Sequence, residues 1–228
     1  MPDGVLVTRP EPGATETAQR LRALGFHPIL APLLTVRPRT VRLPARVDAI
    51  VVASGNAIPS LSAILRQTAL LAVGDATAAR AKAAGFTNVI SAGGDAADLA
   101  ELAGQACAPG ATLLMAAARQ QGAVLAAALR LRGFAVHRRI AYVAEPVRRM
   151  PDAACQALEA RTLIAALFLS AETAQAFVRL LPSAGSAALC TVDALAIGDP
   201  AAAALRVLPW RRVRVSAMPT LDSILAML

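Results

Sequence analysis

The chain has 228 residues, with 23 basic against 15 acidic side chains for a net charge of +8, and is 56% hydrophobic but only 3% aromatic. Alanine fills 55 positions and arginine 22, with Lys82 the single lysine. Alanine also produces the mean hydropathy of +0.54. The longest purely apolar runs, such as residues 163–169, have about seven residues against the ~18–20 of a membrane helix, and low charge with abundant Leu, Val and Ala excludes a disordered chain.

Short apolar strands alternate with helical stretches. Val5–Thr8 reads as a strand, and residues 15–24 read as a helix closed by Gly25, a C-cap residue. Residues 29–36 read as a second strand and 48–53 as a third, followed by a helix over 56–66. Residues 70–73 are a strand, 77–84 a helix stopped by Gly85, 89–90 a short strand and 98–106 a helix. This β-α alternation predicts an α/β fold with parallel sheets flanked by helices.

The chain then repeats itself. The segment from Gly4 through Gly25-Phe26 is similar to that from Gly110 through Gly133-Phe134. The strand ending in Ser54 pairs with the one ending in Ser170, Leu71-Ala-Val-Gly-Asp75 with Leu195-Ala-Ile-Gly-Asp199, and the helix from Asp98 with the one from Thr220. Order is kept across four segments, so duplication of an α/β unit is the simplest account. Two similar lobes with a cleft between them are expected. Two proline-rich crossings, 28–44 and 145–151, flank extended stretches that can lie side by side as a two-stranded β linker.

Cys107, Cys155 and Cys190 are far apart, and His27 and His137 stand alone, so a metal site or disulfide framework is not expected. Met1 to Gly4 lacks a basic region and an apolar core, so no signal peptide is expected. Three thiols then fit a reducing cytoplasm.

In open α/β sheets ligands bind where strands end and helices begin. Hydroxyls and glycines occupy those places here: Thr8-Arg9, Ser54-Gly55-Asn56, Gly74 to Thr77, Ser170 to Thr173, Gly198-Asp199 and Ser216 to Thr220. Any one is ordinary N-capping. Six together predict a ligand with several negative groups, since helix N-termini favour anions. Arg9, and Arg119 in the second repeat, are placed to meet carboxylates. Tyr142, the single tyrosine, ends the second crossing strand and is suited to donate a proton or hydrogen bond to a leaving group. The paired arginines at 138–139, 148–149 and 211–214 read as solvated surface. Nucleophile and phosphate-loop motifs are absent. Seven aromatics and dispersed arginines argue against a nucleic-acid partner.

Taken in order, Val5-Leu-Val-Thr-Arg-Pro10, Asp48-Ala-Ile-Val-Val-Ala-Ser-Gly-Asn-Ala57, Ala72-Val-Gly-Asp-Ala-Thr-Ala78, Gly133-Phe-Ala-Val136 running into Ala141-Tyr142, Leu167-Phe-Leu-Ser170 and Ala196-Ile-Gly198 resemble the uroporphyrinogen-III synthase family over nearly the whole chain. The resemblance implies two α/β lobes: a discontinuous one from 1–35 and 146–228, and a second from 38–141, with linkers near 29–37 and 138–146. It implies cyclisation of linear hydroxymethylbilane to uroporphyrinogen III with loss of water and inversion of ring D, through a spiro intermediate, with no cofactor. The substrate carries eight carboxylates, in keeping with the polyanion inferred above. Tyr142 matches the tyrosine proposed to assist loss of the hydroxyl. Thr77, Ser54 and Ser170 match binding positions, with Arg9, Asn56, Arg119 and Gly198 as further substrate contacts. The chain departs from the family at Ala201 and Ala53, where threonine is usual, and over Met115 to Arg119. A monomer is expected, without nucleic-acid or membrane partners. The alternative is a non-catalytic two-lobed polycarboxylate-binding protein, which has no role for Tyr142.

Overall fold

The structure, a computed structural model, describes residues 3–119 and 121–228, with the backbone alone at residues 183 and 184. In chain order the elements are β1 (Gly4–Val7), α1 (Gly13–Ala23), β2 (His27–Leu30), β3 (Leu34–Pro38), β4 (Ala49–Val52), a 3-10 segment (Gly55–Leu61), β5 (Ala69–Ala72), α2 (Asp75–Ala83), β6 (Val89–Ser91) and α3 (Ala96–Ala106). There follow β7 (Thr112–Ala118), α4 (Ala123–Leu131), β8 (Ala135–Pro146), α5 (Asp152–Glu159), β9 (Leu163–Phe168) and α6 (Ala171–Leu180). A second 3-10 segment (Ser183–Thr191), β10 (Asp193–Ala196), α7 (Asp199–Leu205), β11 (Arg212–Val215) and α8 (Leu221–Leu225) complete the chain. Among these helices none is long and apolar enough to cross a membrane.

The chain divides into two compact units: a split unit, Met1–Thr35 with Glu145–Leu228, and a continuous unit, Val36–Ala144. The split unit holds a five-stranded sheet of order β11-β10-β9-β1-β2, parallel throughout. The other sheet has order β3-β8-β7-β4-β5-β6, and the pairs from β8 to β6 are parallel. Leave aside β3 and the two orders coincide: β2-β1-β9-β10-β11 corresponds to β8-β7-β4-β5-β6 element for element. The repeat read in the sequence is thus a repeat of topology.

Alternation along each strand sends side chains to opposite faces. Leu6, Ala166, Phe168, Ala194 and Ala196 pack under α5, α6 and α7, while Val5, Val7, Leu167 and Leu195 pack under α1 and α8. In the continuous unit Ile50, Val52, Leu70, Leu114 and Ala116 face α2 and the first 3-10 segment. Val51, Leu71, Leu113 and Met115 face α3 and α4. A parallel sheet covered on both faces needs nearly continuous apolar runs, and all four residues of β1, β4 and β10 are buried, with Asp193 of β10 the charged exception among them.

Two elements differ from the sequence reading. The single strand expected over 29–36 is two, β2 and β3, in different sheets. Between them Ala31 and Leu33 donate to the carbonyls of Val7 and Thr8, both at 3.0 Å. Pro32 has no N–H to continue the ladder. The helix expected over 56–66 is a short 3-10 segment with Pro59 inside it, a residue that removes one helical donor and clashes with the preceding turn.

The arginines expected on the solvated surface do more. Asp193, 5% exposed at the start of β10, accepts from Nε and Nη2 of Arg211, both at 2.7 Å, with Nη1 of Arg214 at 3.9 Å. The hydrogen bond from Arg211, with the charges of Arg211, Arg212 and Arg214, holds the carboxyl below the usual carboxylate range against the opposing effect of burial. A carboxyl held low in the fold stabilises the folded state above its ordinary pKa of 3.8. That contribution is lost as pH falls through the lowered value. Asp193→Asn should therefore melt at a lower temperature than the parent at pH 7. It should also lose less stability between about pH 5 and about pH 2, as followed by circular dichroism. Equal acid slopes for the two proteins would remove Asp193 from the acid response.

Candidate active site

In both sheets the strands surrounding the centre send their connections in opposite directions. From β1 the chain leaves toward β2, and from β9 toward β10; from β7 it leaves toward β8, and from β4 toward β5. The carboxyl ends of such a pair enclose a crevice, the usual ligand position of an open α/β sheet. One crevice belongs to each unit.

In the split unit the β1/β9 crevice carries Arg9 and Ser170, with Gly198 one strand further at the end of β10. Arg9 donates from Nη1 to the Thr17 hydroxyl at 3.3 Å and lies across Gly13, where a Cβ would collide with its guanidinium. The Ser170 hydroxyl accepts from the N–H of Thr173 at 3.1 Å and caps α6. Thr8, fully buried, donates to the carbonyl of Leu167 at 2.6 Å and ties the two central strands where they end.

In the continuous unit the β4/β7 crevice carries Ser54, Asn56 and Arg119, with Thr77 one strand further in α2. The Ser54 hydroxyl accepts from the N–H of Asn56 at 3.3 Å. Both serines are therefore caps, and the Ser170 hydroxyl also lies 3.3 Å from the Thr173 hydroxyl. Arg80 lies across Gly55, where a Cβ would come 2.6 Å from its Cδ and 2.8 Å from Nη1. Arg119 follows β7 and is exposed. Tyr142 stands opposite Ala118 at a register shift between β7 and β8. It is 3% exposed within the apolar cluster beneath α2. The carbonyl before it, that of Ala141, accepts from the Arg39 N–H at 2.7 Å and from the Ser60 hydroxyl, so the strand is pinned at the tyrosine.

Two glycines have no structural requirement. Gly74 caps α2 and Gly198 caps α7 with extended backbones at φ −160° and −179°, which any residue adopts. A Cβ at Gly74 would meet nothing within 4 Å, and at Gly198 only Pro200 Cδ at 3.9 Å. Their missing side chains leave the helix N-termini open to an approaching group. The repeat is uneven here. Thr77 and Ala201 are each the third residue of their helix, both buried, so α7 lacks the hydroxyl of α2, and Pro200 removes an N–H as well.

Charge is uneven too. The continuous unit has 12 basic against 5 acidic residues, a net +7, and the split unit 11 against 10, a net +1. Among the described residues no three His, Cys, Asp or Glu side chains converge to hold a metal ion. What the two edges offer is arginine, hydroxyl and free backbone N–H, a set for binding carboxylates in defined places. Sequence reasoning missed Gly13 and Arg80, and singled out Gly55 only as a strand-end glycine without its arginine. The signal available was a glycine at the first helical position, where propensity does not favour one.

No curated protein sequence matches the chain. Among solved structures, the fold is similar to uroporphyrinogen-III synthetase from Helicobacter pylori 26695, 17% identical over 100% of this chain and 98% of that one, with a TM-score of 0.66. A mutant uroporphyrinogen III synthase from the extremely thermophilic bacterium Thermus thermophilus is 22% identical over 98% of this chain and 96% of that one, with a TM-score of 0.49. The sequence model described as Uroporphyrinogen-III synthase HemD matches residues 15–226, and with nearly every element of both sheets inside that match, the chain belongs to the uroporphyrinogen-III synthase family.

Proposed function

We propose that this enzyme, a cyclising lyase of haem biosynthesis by its family, binds hydroxymethylbilane through the two crevices and uses Tyr142 at the departing hydroxyl. The substrate loses that hydroxyl as water and leaves an electrophilic methylene carbon on ring A. Uncatalysed, ring D closes through its free carbon to the symmetric type I isomer. The type III isomer requires attack through the substituted carbon of ring D, giving a spiro intermediate that reopens and recloses with the ring inverted. The difference between the two outcomes is one of conformation, so the work of the enzyme is to hold the chain ends and exclude the direct closure.

The observation that supports this reading is that Arg9 and Ser170 lie at one switch point with Gly198 one strand further, and Ser54, Asn56 and Arg119 at the other with Thr77 one strand further, on edges suited to anions. Carboxylates of the substrate take the arginines and open helix ends. Tyr142 then donates its phenolic hydrogen bond to the leaving oxygen from dry surroundings, where such a bond is stronger than in water. The same proposal places a monomeric enzyme in the cytoplasm, in keeping with three free cysteines, Cys107, Cys155 and Cys190; sedimentation of the purified chain tests the monomer.

Purified protein given hydroxymethylbilane should release the type III isomer. Type I alone, at the blank rate, overturns the reading, and tight binding without turnover would leave the polycarboxylate-binding alternative. Tyr142→Phe should keep substrate affinity and lower kcat by roughly 10²-fold, the range of a lost acid catalyst. Unchanged kcat would remove the tyrosine from the mechanism. Gly74→Ser adds a Cβ that meets nothing within 4 Å and a side chain favoured at a helix cap, so its melting temperature should stay close to the parent's. Its KM should rise about tenfold, as for a substrate group denied its place with kcat kept. A KM like the parent's would show that nothing approaches α2 there.

A further inference from the structure

Arg138 sits on β8 opposite Met115 of β7, and its guanidinium reaches the loop that follows β7. Nε donates to the carbonyl of Gln121 at 3.0 Å. Nη2 donates to the carbonyls of Ala118 at 3.0 Å, Arg119 at 2.7 Å and Gln121 at 2.7 Å. One side chain thus gathers three carbonyl oxygens of a single loop. A fixed planar fork suits this task, since its five donors point in set directions, whereas an ammonium is a compact point charge on a flexible stem. The loop closes on Gly122, whose φ of +84° is left-handed and where a Cβ would come 2.5 Å from Met115 Cε. The left-handed backbone is what favours glycine there.

The clamp has a directional consequence. In a trans peptide the carbonyl and the following N–H point to opposite sides. Turning the carbonyls of Ala118 and Gln121 onto Arg138 turns the N–H groups of Arg119 and Gly122 away from it. The exposed Arg119 stands at the end of β7, at the β4/β7 switch point, on backbone whose carbonyls at Ala118 and Arg119 are both held by Arg138. The positive charge of Arg138 is spent on carbonyl dipoles and stays behind the loop.

We propose that Arg138 is a positioning residue for the reaction: it fixes the backbone after β7 so that Arg119 is held to receive a substrate carboxylate. The inference rests on the reading of the chain as a synthase that binds at this switch point. It assigns to Arg138 a role acting through Arg119 and the loop backbone, with no contact to the reacting atoms.

The test compares Arg138→Lys and Arg138→Ala with the parent in three measurements: steady-state kinetics on hydroxymethylbilane, the ratio of type III to type I product, and amide exchange over residues 118–123 in the intact protein. The expected result for Arg138→Lys is faster exchange confined to that loop and a KM raised about tenfold with kcat within about threefold. A larger share of type I product should accompany it. Arg138→Ala should move further in the same directions, and the lysine recovers part of the loss. If the alanine variant does not fold, the lysine variant decides alone. Unchanged KM and product ratio overturn the proposal. So does a loss of kcat that follows melting temperature while loop exchange stays as in the parent, because a merely structural arginine behaves that way. Type I product from the parent itself would overturn the synthase reading and the substrate role of Arg138 with it, whereas a parent that makes type III beside an indifferent Arg138→Lys overturns the positioning role alone.

Discussion

At the centre of each sheet two parallel strands lie side by side, β1 with β9 and β7 with β4, and their connections depart in opposite directions. That pairing dictates most of what surrounds it. Parallel strands force crossovers, the crossovers cover both faces with helices, and covered faces demand nearly continuous apolar runs. The same pairing leaves the carboxyl ends of the central strands uncovered by any crossover, so the polar chemistry collects there. Thr8 and Ser170 in one unit, and Ser54 and Arg119 in the other, occupy the four ends of these two pairs. The hydrogen bond from Thr8 to Leu167 closes one of them at the point where the ladder stops.

Alanine makes the layers close. Ala14 and Ala18 in α1, Ala100 and Ala103 in α3, and Ala201 and Ala202 in α7 are all at most 1% exposed. Small side chains let helix backbones settle near the sheet and leave few rotamers to order on folding. Bulk is concentrated where the layers are thicker. Phe168, Phe177 and Trp210 form one cluster with ring centroids 5.3 to 5.8 Å apart, within the range in which aromatic pairs attract beyond their buried area.

Strand positions, fold class and the repeat were legible because they depend on local pattern: short apolar runs, capping residues, and Gly-Phe pairs recurring in order. That Arg9, Ser54, Arg119, Ser170 and Gly198 lie at carboxyl edges was legible for the same reason, since in a parallel sheet the residues after a strand are at that edge whatever the tertiary detail. What escaped depends on side chains that reach across elements. Arg138 looks like surface in a basic run, and its loop partners become visible only when β7 and β8 are in register. Arg211 likewise finds Asp193 across a strand junction. The double strand at 27–38 was missed because one extended stretch serves two sheets, and periodicity cannot report a change of partner.

The two units reach the same strand order by different routes along the chain. In the continuous unit every strand from β4 to β8 emerges in one unbroken stretch, so its sheet has all its parts by Pro146. In the split unit β1 and β2 emerge first, yet the strand that must lie against β1 is β9, which begins at Leu163. During synthesis the amino-terminal unit of β1, α1 and β2 therefore has one flank uncovered while a whole α/β unit is made behind it. The last strand of that sheet, β11, and the helix α8 that packs over Val5 and Val7 follow later still along the chain. Chain order is thus written into the topology: one sheet is drawn from a continuous stretch, and the other from two stretches that must find each other across it.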